Sequence, residues 1–194
     1  MIDTEKELAL CEALSVSDYL WNSRVKPDME VKMAVVRGYG LAIDFLVKEK
    51  DPKRVYTQYN DPVYKDSAVE FFINPEPNVS EKYINLEINA NGAFLCRFGV
   101  ARAKRTNFDE LTDTSIEIKT EILDSEWAAH VKIPNRVFKD LANKDGFERG
   151  DRVTFNLYKI SESEEIEHYG AFSHIDSPTP NFHLPEFFAE GIIM

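Results

Sequence analysis

Residues 63–74 read VYKDSAVEFFIN. Within them Val69, Phe71 and Ile73 alternate with Glu70, Phe72 and Asn74. That is the period of a strand, whose side chains point to opposite faces in turn. One face is wholly apolar, and the other sets a carboxylate beside an aromatic ring. A wet strand face normally carries Thr, Lys or Ser, and a carboxylate among apolar neighbours is costly once buried. Glu70 therefore needs a reason to be there, and Tyr64, shortly before it, is an aromatic neighbour of unexplained purpose.

The same period governs the rest of the chain. VKMAVVR (31–37) and LAIDFLV (41–47) flank GYG, which reads as a hairpin. KYINLEIN (82–89) turns through ANG into AFLCRF (93–98), a second hairpin, and SIEIKTEI (115–122) pairs with EWAAHVKI (126–133) around LDS. DRVTFNLYKI (151–160) alternates again, while residues 99–114 read as a long polar loop. PNRVFKDLA (134–142) has helical spacing at Phe138 and Leu141, with Pro134 near its start. The tail from Pro180 breaks at two prolines and ends in a short apolar strand. About nine short strands with turn signals every ~8–12 residues predict an all-β antiparallel sandwich, two packed sheets of jelly-roll or immunoglobulin-like type with one or two short helices. Crossover helices for a parallel sheet are missing.

At 194 residues the chain fits a single domain spanning 1–194, with residues 1–20 as an N-terminal extension. The net charge of −11 disfavours nucleic acid and anionic membrane surfaces as partners. ARAKRTN (101–107) is the one basic cluster and reads as a solvated loop. The N-terminus lacks the basic and apolar regions of a secretory signal, which predicts a cytoplasmic location if the chain is complete and an extracellular one if a leader was removed. Cys11 and Cys96 form no CxxC pair, and Cys96 reads as a buried free thiol.

No HExxH, P-loop, GxGxxG or GxSxG is present. His168, His174 and His183 are spaced unlike standard metal ligands, so packing or surface roles are the better reading. Glu70, Glu87 and Glu186 are of the type a glycosidase uses, though nothing in the sequence sets any two face to face. A polyol site needs aromatic rings for the C–H face of a sugar and carboxylates or amides for its hydroxyls. Tyr64, Glu70, Asn85 and Asn156 have these chemistries on strand-like segments, although Tyr64 would serve equally to pack and the two amides to satisfy backbone groups.

YKDSAVEFFINP (64–75), YINLEINANGAFL (83–95), the span from Trp127 to Pro134, DRVTFNLYKI (151–160) and FSHIDSPTPNFHLPEFF (172–188) occur in an order that resembles the family 9 carbohydrate-binding modules. The resemblance runs from about residue 20 to the C-terminus. It implies an antiparallel β-sandwich that binds sugars, typically the ends of glycan chains, without cleaving them. In that family two aromatic rings, usually Trp, hold the sugar between them; the matching positions here are Tyr64 and Phe172. The resemblance makes Glu70 a hydroxyl acceptor and Asn156 its amide partner. Asn85 and Arg97 only partly stand in for an Arg expected on the YINLEIN strand, and His183 lies near the same rim. Some members hold structural calcium, and many are joined to glycoside hydrolases, which makes a hydrolase an expected partner beside the saccharide. The rival readings are a small glycosidase or sugar-modifying enzyme using Glu70 with Glu87 or Glu186, and a degenerate module serving as a protein-interaction domain. The loss of both Trp positions keeps the last reading open.

Overall fold

The computed structural model describes residues 1–194. Its first strands are β1 (Leu14–Val16), β2 (Asp18–Tyr19), β3 (Asp28–Val36), β4 (Gly40–Lys48) and β5 (Ala68–Asn74). β6 (Tyr83–Asn89), β7 (Phe94–Ala101), β8 (Lys104–Asn107) and β9 (Glu117–Ile122) follow. Then come β10 (Trp127–Pro134), α1 (Asn135–Ala142), β11 (Arg152–Ser161), β12 (His168–Ala171) and β13 (Ala189–Ile192).

These strands form two antiparallel sheets. The smaller runs β1-β3-β4-β10-β9; the larger runs β2-β12-β11-β5-β6-β7-β8, with β13 also pairing β11. The chain is a β-sandwich, and the alternation read from the sequence decides which side chains lie between the sheets. Val69, Phe71 and Ile73 of β5 meet Ile84, Leu86 and Ile88 of β6 in one core with Ile43, Phe45, Trp127 and Val131 of the opposing sheet. Burying such side chains stabilises the fold by roughly 1.5–3 kcal/mol apiece. Gly40 opens β4 against β10, where a Cβ would lie 2.0 Å from the Ile133 carbonyl oxygen. Only glycine permits that approach.

Differences from the sequence reading have local causes. Lys104–Asn107, expected within a loop, is the edge strand β8, too polar to show an apolar alternation. Residues 1–20, expected as an extension, supply β1 to the smaller sheet, and Ile2 N–H donates to the Val35 carbonyl at 2.9 Å. The 134–142 helix begins one residue later, with Pro134 capping in extended conformation. Cys11 and Cys96 are both free thiols.

Candidate functional site

The larger sheet buries both of its faces. Every residue of β5 and β6 is buried, so the outer face carrying Glu70, Phe72, Asn85 and Glu87 is covered by something other than the second sheet. The cover is the segment 172–188 together with the turn at Val63–Lys65. Phe182 stacks on Tyr158 of β11 at a centroid distance of 4.0 Å, and His183 stacks on Phe72 at 4.8 Å. The Tyr158 hydroxyl also donates to the Phe182 carbonyl at 3.2 Å. These rings form a second, smaller apolar cluster outside the main core.

Between this cover and the β7–β8 hairpin lies a cavity of about 230 Å³. Its strand residues are Glu70, Glu87, Leu95, Arg97, Arg105 and Ile160. Tyr64, Tyr169, Phe182 and His183 line one part of it, and Arg102 and Glu162 another. Gly99 on β7 helps to build this side: a Cβ there would meet the Lys104 carbonyl at 2.0 Å and Arg105 at 2.7 Å. Without a side chain at position 99, β8 can bring Arg105 to the pocket.

Two carboxyls form the polar heart of the cavity. The β5–β6 register sets Glu70 directly opposite Glu87, which places their Cβ atoms about 4.5–5.5 Å apart. They are 3% and 4% exposed. Glu87 Oε1 accepts the Asn85 amide at 2.8 Å, but Glu87 Oε2 has no hydrogen-bond partner. The Glu70 carboxyl takes no hydrogen bond and no ion pair from the protein. Burial first, and the neighbouring Glu87 charge second, hold Glu70 well above the usual carboxylate range. Burial pushes Glu87 up to about 7, against the pull of Arg105 and Arg97. Such a pair loses its protons in two coupled steps, so near neutral pH it offers both a donor and an acceptor. His183 is neutral: burial and the nearby arginines push its pKa down to about 2, and Nδ1 lies 2.9 Å from the Tyr83 hydroxyl.

The structure gathers Tyr64, Glu70, Arg97 and His183 at this cavity. It does not bring the other three expected residues to its surface. Phe172, expected as a stacking ring, lies instead against Phe155 at 5.7 Å and packs on the main core. Asn156 uses both ends of its amide within the protein, donating to the Ser173 carbonyl at 2.9 Å and accepting from the Ser173 and Leu157 amides. It thereby anchors the segment that carries Phe182 and His183. Asn85 sits beneath the cavity, bound to Glu87 and to Arg105 Nη1. The sequence reading had Glu87 only as an enzyme candidate, and it passed over Arg102, Arg105, Glu162, Tyr169 and Phe182. ARAKRTN was the available signal for the two arginines. Glu186, the other enzyme candidate, is exposed on the Pro185–Phe187 turn.

The three tail histidines are in three places: His168 is buried beside Lys159, His174 pairs with Asp18, and His183 lines the cavity. No three His, Cys, Asp or Glu side chains gather where they could hold a metal ion.

The sequence profile of carbohydrate-binding family 9 matches residues 3–193. The chain belongs to this family. No curated protein sequence matches it significantly. Among solved structures, a protein of Bacteroides uniformis presumed to bind carbohydrate shares the fold with a TM-score of 0.79 at 23% identity, over 94% of this chain and 86% of that one. A family 9 carbohydrate-binding module from Caldicellulosiruptor kristjanssonii, solved with glucose, matches with a TM-score of 0.64 at 14% identity, over 98% and 88% of the two chains. Its complex with cellotriose matches at 0.63 and 15% identity, over 98% and 87%. At these identities the structural likeness establishes the shared sandwich fold.

Proposed function

We propose that this family 9 protein binds the end of a saccharide in the Glu70–Glu87 cavity and does not cleave it. The observation that carries the reading is the pair itself: two buried carboxyls face one cavity, and three of their four oxygens lack a protein partner. Buried polar groups are almost always satisfied. A polyol supplies the missing hydrogen bonds, because adjacent hydroxyls can donate to one carboxyl and accept from the other. Tyr64 and Tyr169 line the cavity and are of the side-chain type that meets the C–H side of a sugar, in place of the Trp pair usual in the family. The glucose and cellotriose held by the Caldicellulosiruptor module support this ligand class. The cavity is smaller than the ~300–1,000 Å³ of drug-sized ligand sites, which suits a chain end better than a long glycan.

An enzyme reading draws on the same pair, because a retaining glycosidase works with two neighbouring carboxyls and Glu70 and Glu87 share one rung. They stand side by side on one sheet face, however, whereas a glycosidase sets its two carboxyls on either side of the scissile bond. A protein-interaction role does not explain the unpartnered oxygens. The test is calorimetric titration with a panel of mono- and oligosaccharides. Saturable binding is expected, abolished by Glu70→Ala and by Tyr64→Ala with little change in melting temperature. A large fall in melting temperature for Glu70→Ala would make that residue structural, and release of reducing sugar from chromogenic glycosides would turn the reading towards catalysis.

A further inference from the structure

The sugar-binding reading leaves a charge pattern unexplained. In a chain of net charge −11, three arginines converge on the same cavity: Arg97, Arg102 and Arg105. Carboxylate partners are plentiful in such a protein, and many of its cations have taken them. Lys144 contacts Glu76 and Asp151 at 2.8 Å, Arg136 contacts Asp140 at 2.8 Å, and Lys132 contacts Glu117 at 2.9 Å. Two of the cavity arginines, Arg97 and Arg105, have not. Arg97 gives its donors to neutral amide oxygens, Nε to Asn107 at 3.1 Å and Nη2 to Asn60 at 3.4 Å. Arg105 gives Nε to the Arg102 carbonyl at 3.1 Å and Nη1 to Asn85 at 2.5 Å. Neither has a carboxylate within 4.0 Å, although both are half-buried. The two other arginines without one, Arg24 and Arg149, are exposed. Arg102 reaches Glu162 only at 3.8 Å, beyond hydrogen-bonding distance.

The charges around the cavity do not cancel. Glu70 and Glu87 of β5 and β6 and Glu162 beyond β11 face the three arginines of β7, β8 and their turn. Two buried carboxyls on one rung resist ionising together, so near neutral pH at most two of the three acids are charged. His183 adds no charge. The cavity is left positive inside an acidic protein. Arg105 is occupied in supporting Asn85 and Glu87. Arg97 and Arg102 keep unused N–H groups, in the planar fork that fits a carboxylate or sulfate and that a neutral hydroxyl does not require.

We propose that the saccharide end selected by this cavity bears an anionic group, a uronate carboxylate or a sulfate ester, held by Arg97 and Arg102 while its hydroxyls meet Glu70 and Glu87. The proposal rests on the sugar-binding reading above and narrows its ligand class. It is tested by calorimetry on the full chain at pH 7 and low salt, comparing glucose and galactose with glucuronate, galacturonate and glucose 6-sulfate, each also titrated in the presence of inorganic sulfate. The anionic sugars should bind about tenfold or more tightly than their neutral parents. That advantage should shrink with added salt and vanish in Arg97→Gln/Arg102→Gln. The better ligand among the three anionic sugars tells carboxylate from sulfate ester. Neutral sugars binding as tightly as the charged ones would overturn the anionic preference and leave the sugar-binding reading standing. Inorganic sulfate competing as well as any anionic sugar would reduce the site to a bare anion site and overturn the proposal. Failure of every sugar to bind would overturn both.

Discussion

Two buried polar clusters lie on opposite faces of the larger sheet, one around Lys159 of β11 and one at Glu70 of β5 and Glu87 of β6. On the inner face, Lys159 is wholly buried, with Nζ 2.6 Å from Ser67 Oγ, 2.8 Å from His168 Nε2 and 3.5 Å from Glu49 Oε2. His168 donates Nδ1–H to the Ile166 carbonyl at 2.5 Å, which leaves Nε2 bare to accept from the ammonium. Burial and the Lys159 charge push the imidazole down to about 3, in keeping with that neutral form. Glu49 also accepts from Ser67 at 2.5 Å and from the Trp127 indole at 3.1 Å. Each lysine donor has a partner. On the outer face, Glu87 Oε2 has none, and the Glu70 carboxyl beside it takes no hydrogen bond from the protein. A closed network has the economy of structure. An open one, facing a cavity, suits the saccharide site proposed above.

The contrast can be broken at either end. The largest effect is expected at Lys159→Met, which takes the buried ammonium away from Ser67, His168 and the part-buried Glu49 carboxylate and should cost about 3–5 kcal/mol in chemical denaturation at pH 7. A loss under about 1 kcal/mol would show that the inner network is no more structural than the outer pair. The matching outer change, Glu87→Ala, should weaken saccharide binding by about tenfold to a hundredfold without lowering denaturation midpoints.

pH separates the clusters by sign. The folded-state pKa values of Glu70 and Glu87 lie above their ordinary range, so the native state holds their protons more tightly than the unfolded chain. Their contribution to stability is present at low pH and is lost as pH rises from about 4.5 through about 7. Glu87→Gln should remove part of that loss, leaving the variant about 1–3 kcal/mol more stable than the native protein at pH 8. Lys159 behaves in the opposite sense. Burial pushes its pKa down to about 8, so its contribution improves as pH rises between about 8 and 10.5. Denaturation of the native protein and both variants across pH 4–10 checks the two slopes, and a Glu87→Gln curve parallel to the native one would remove the basis for a shared proton.

The smallest expected effect concerns the aromatic positions. Phe172→Leu should lower stability modestly, because the ring packs on Phe155, and leave sugar affinity unchanged. Tyr64→Leu should do the reverse. Calorimetry and thermal melts on the two variants distinguish them directly.

The fold was legible because the side-chain period of a strand is two, so one buried face writes itself into sequences such as VEFFI and INLEI. That alternation also placed Glu70 on the face opposite the core. The site was only partly legible because its members meet through register rather than sequence proximity. Nothing near Glu70 announces that Glu87 lies directly across from it, or that Arg105 arrives on an edge strand. KRTN carries no apolar alternation, and HYGA of β12 is short and buried throughout, so neither read as a strand. Motif position led to Phe172, while the ring that lines the cavity is Phe182, ten residues on and held there by Tyr158. Asn156 reads equally as a sugar ligand or a loop anchor until Ser173 is seen at both ends of its amide.

The most direct measurement is a crystal structure of the protein soaked with the tightest saccharide from the calorimetric panel. The account predicts sugar hydroxyls about 2.6–3.0 Å from Glu87 Oε2 and from the Glu70 carboxyl, with the Lys159 network unchanged. A saccharide bound elsewhere, with Glu70 and Glu87 still unpartnered, would contradict it.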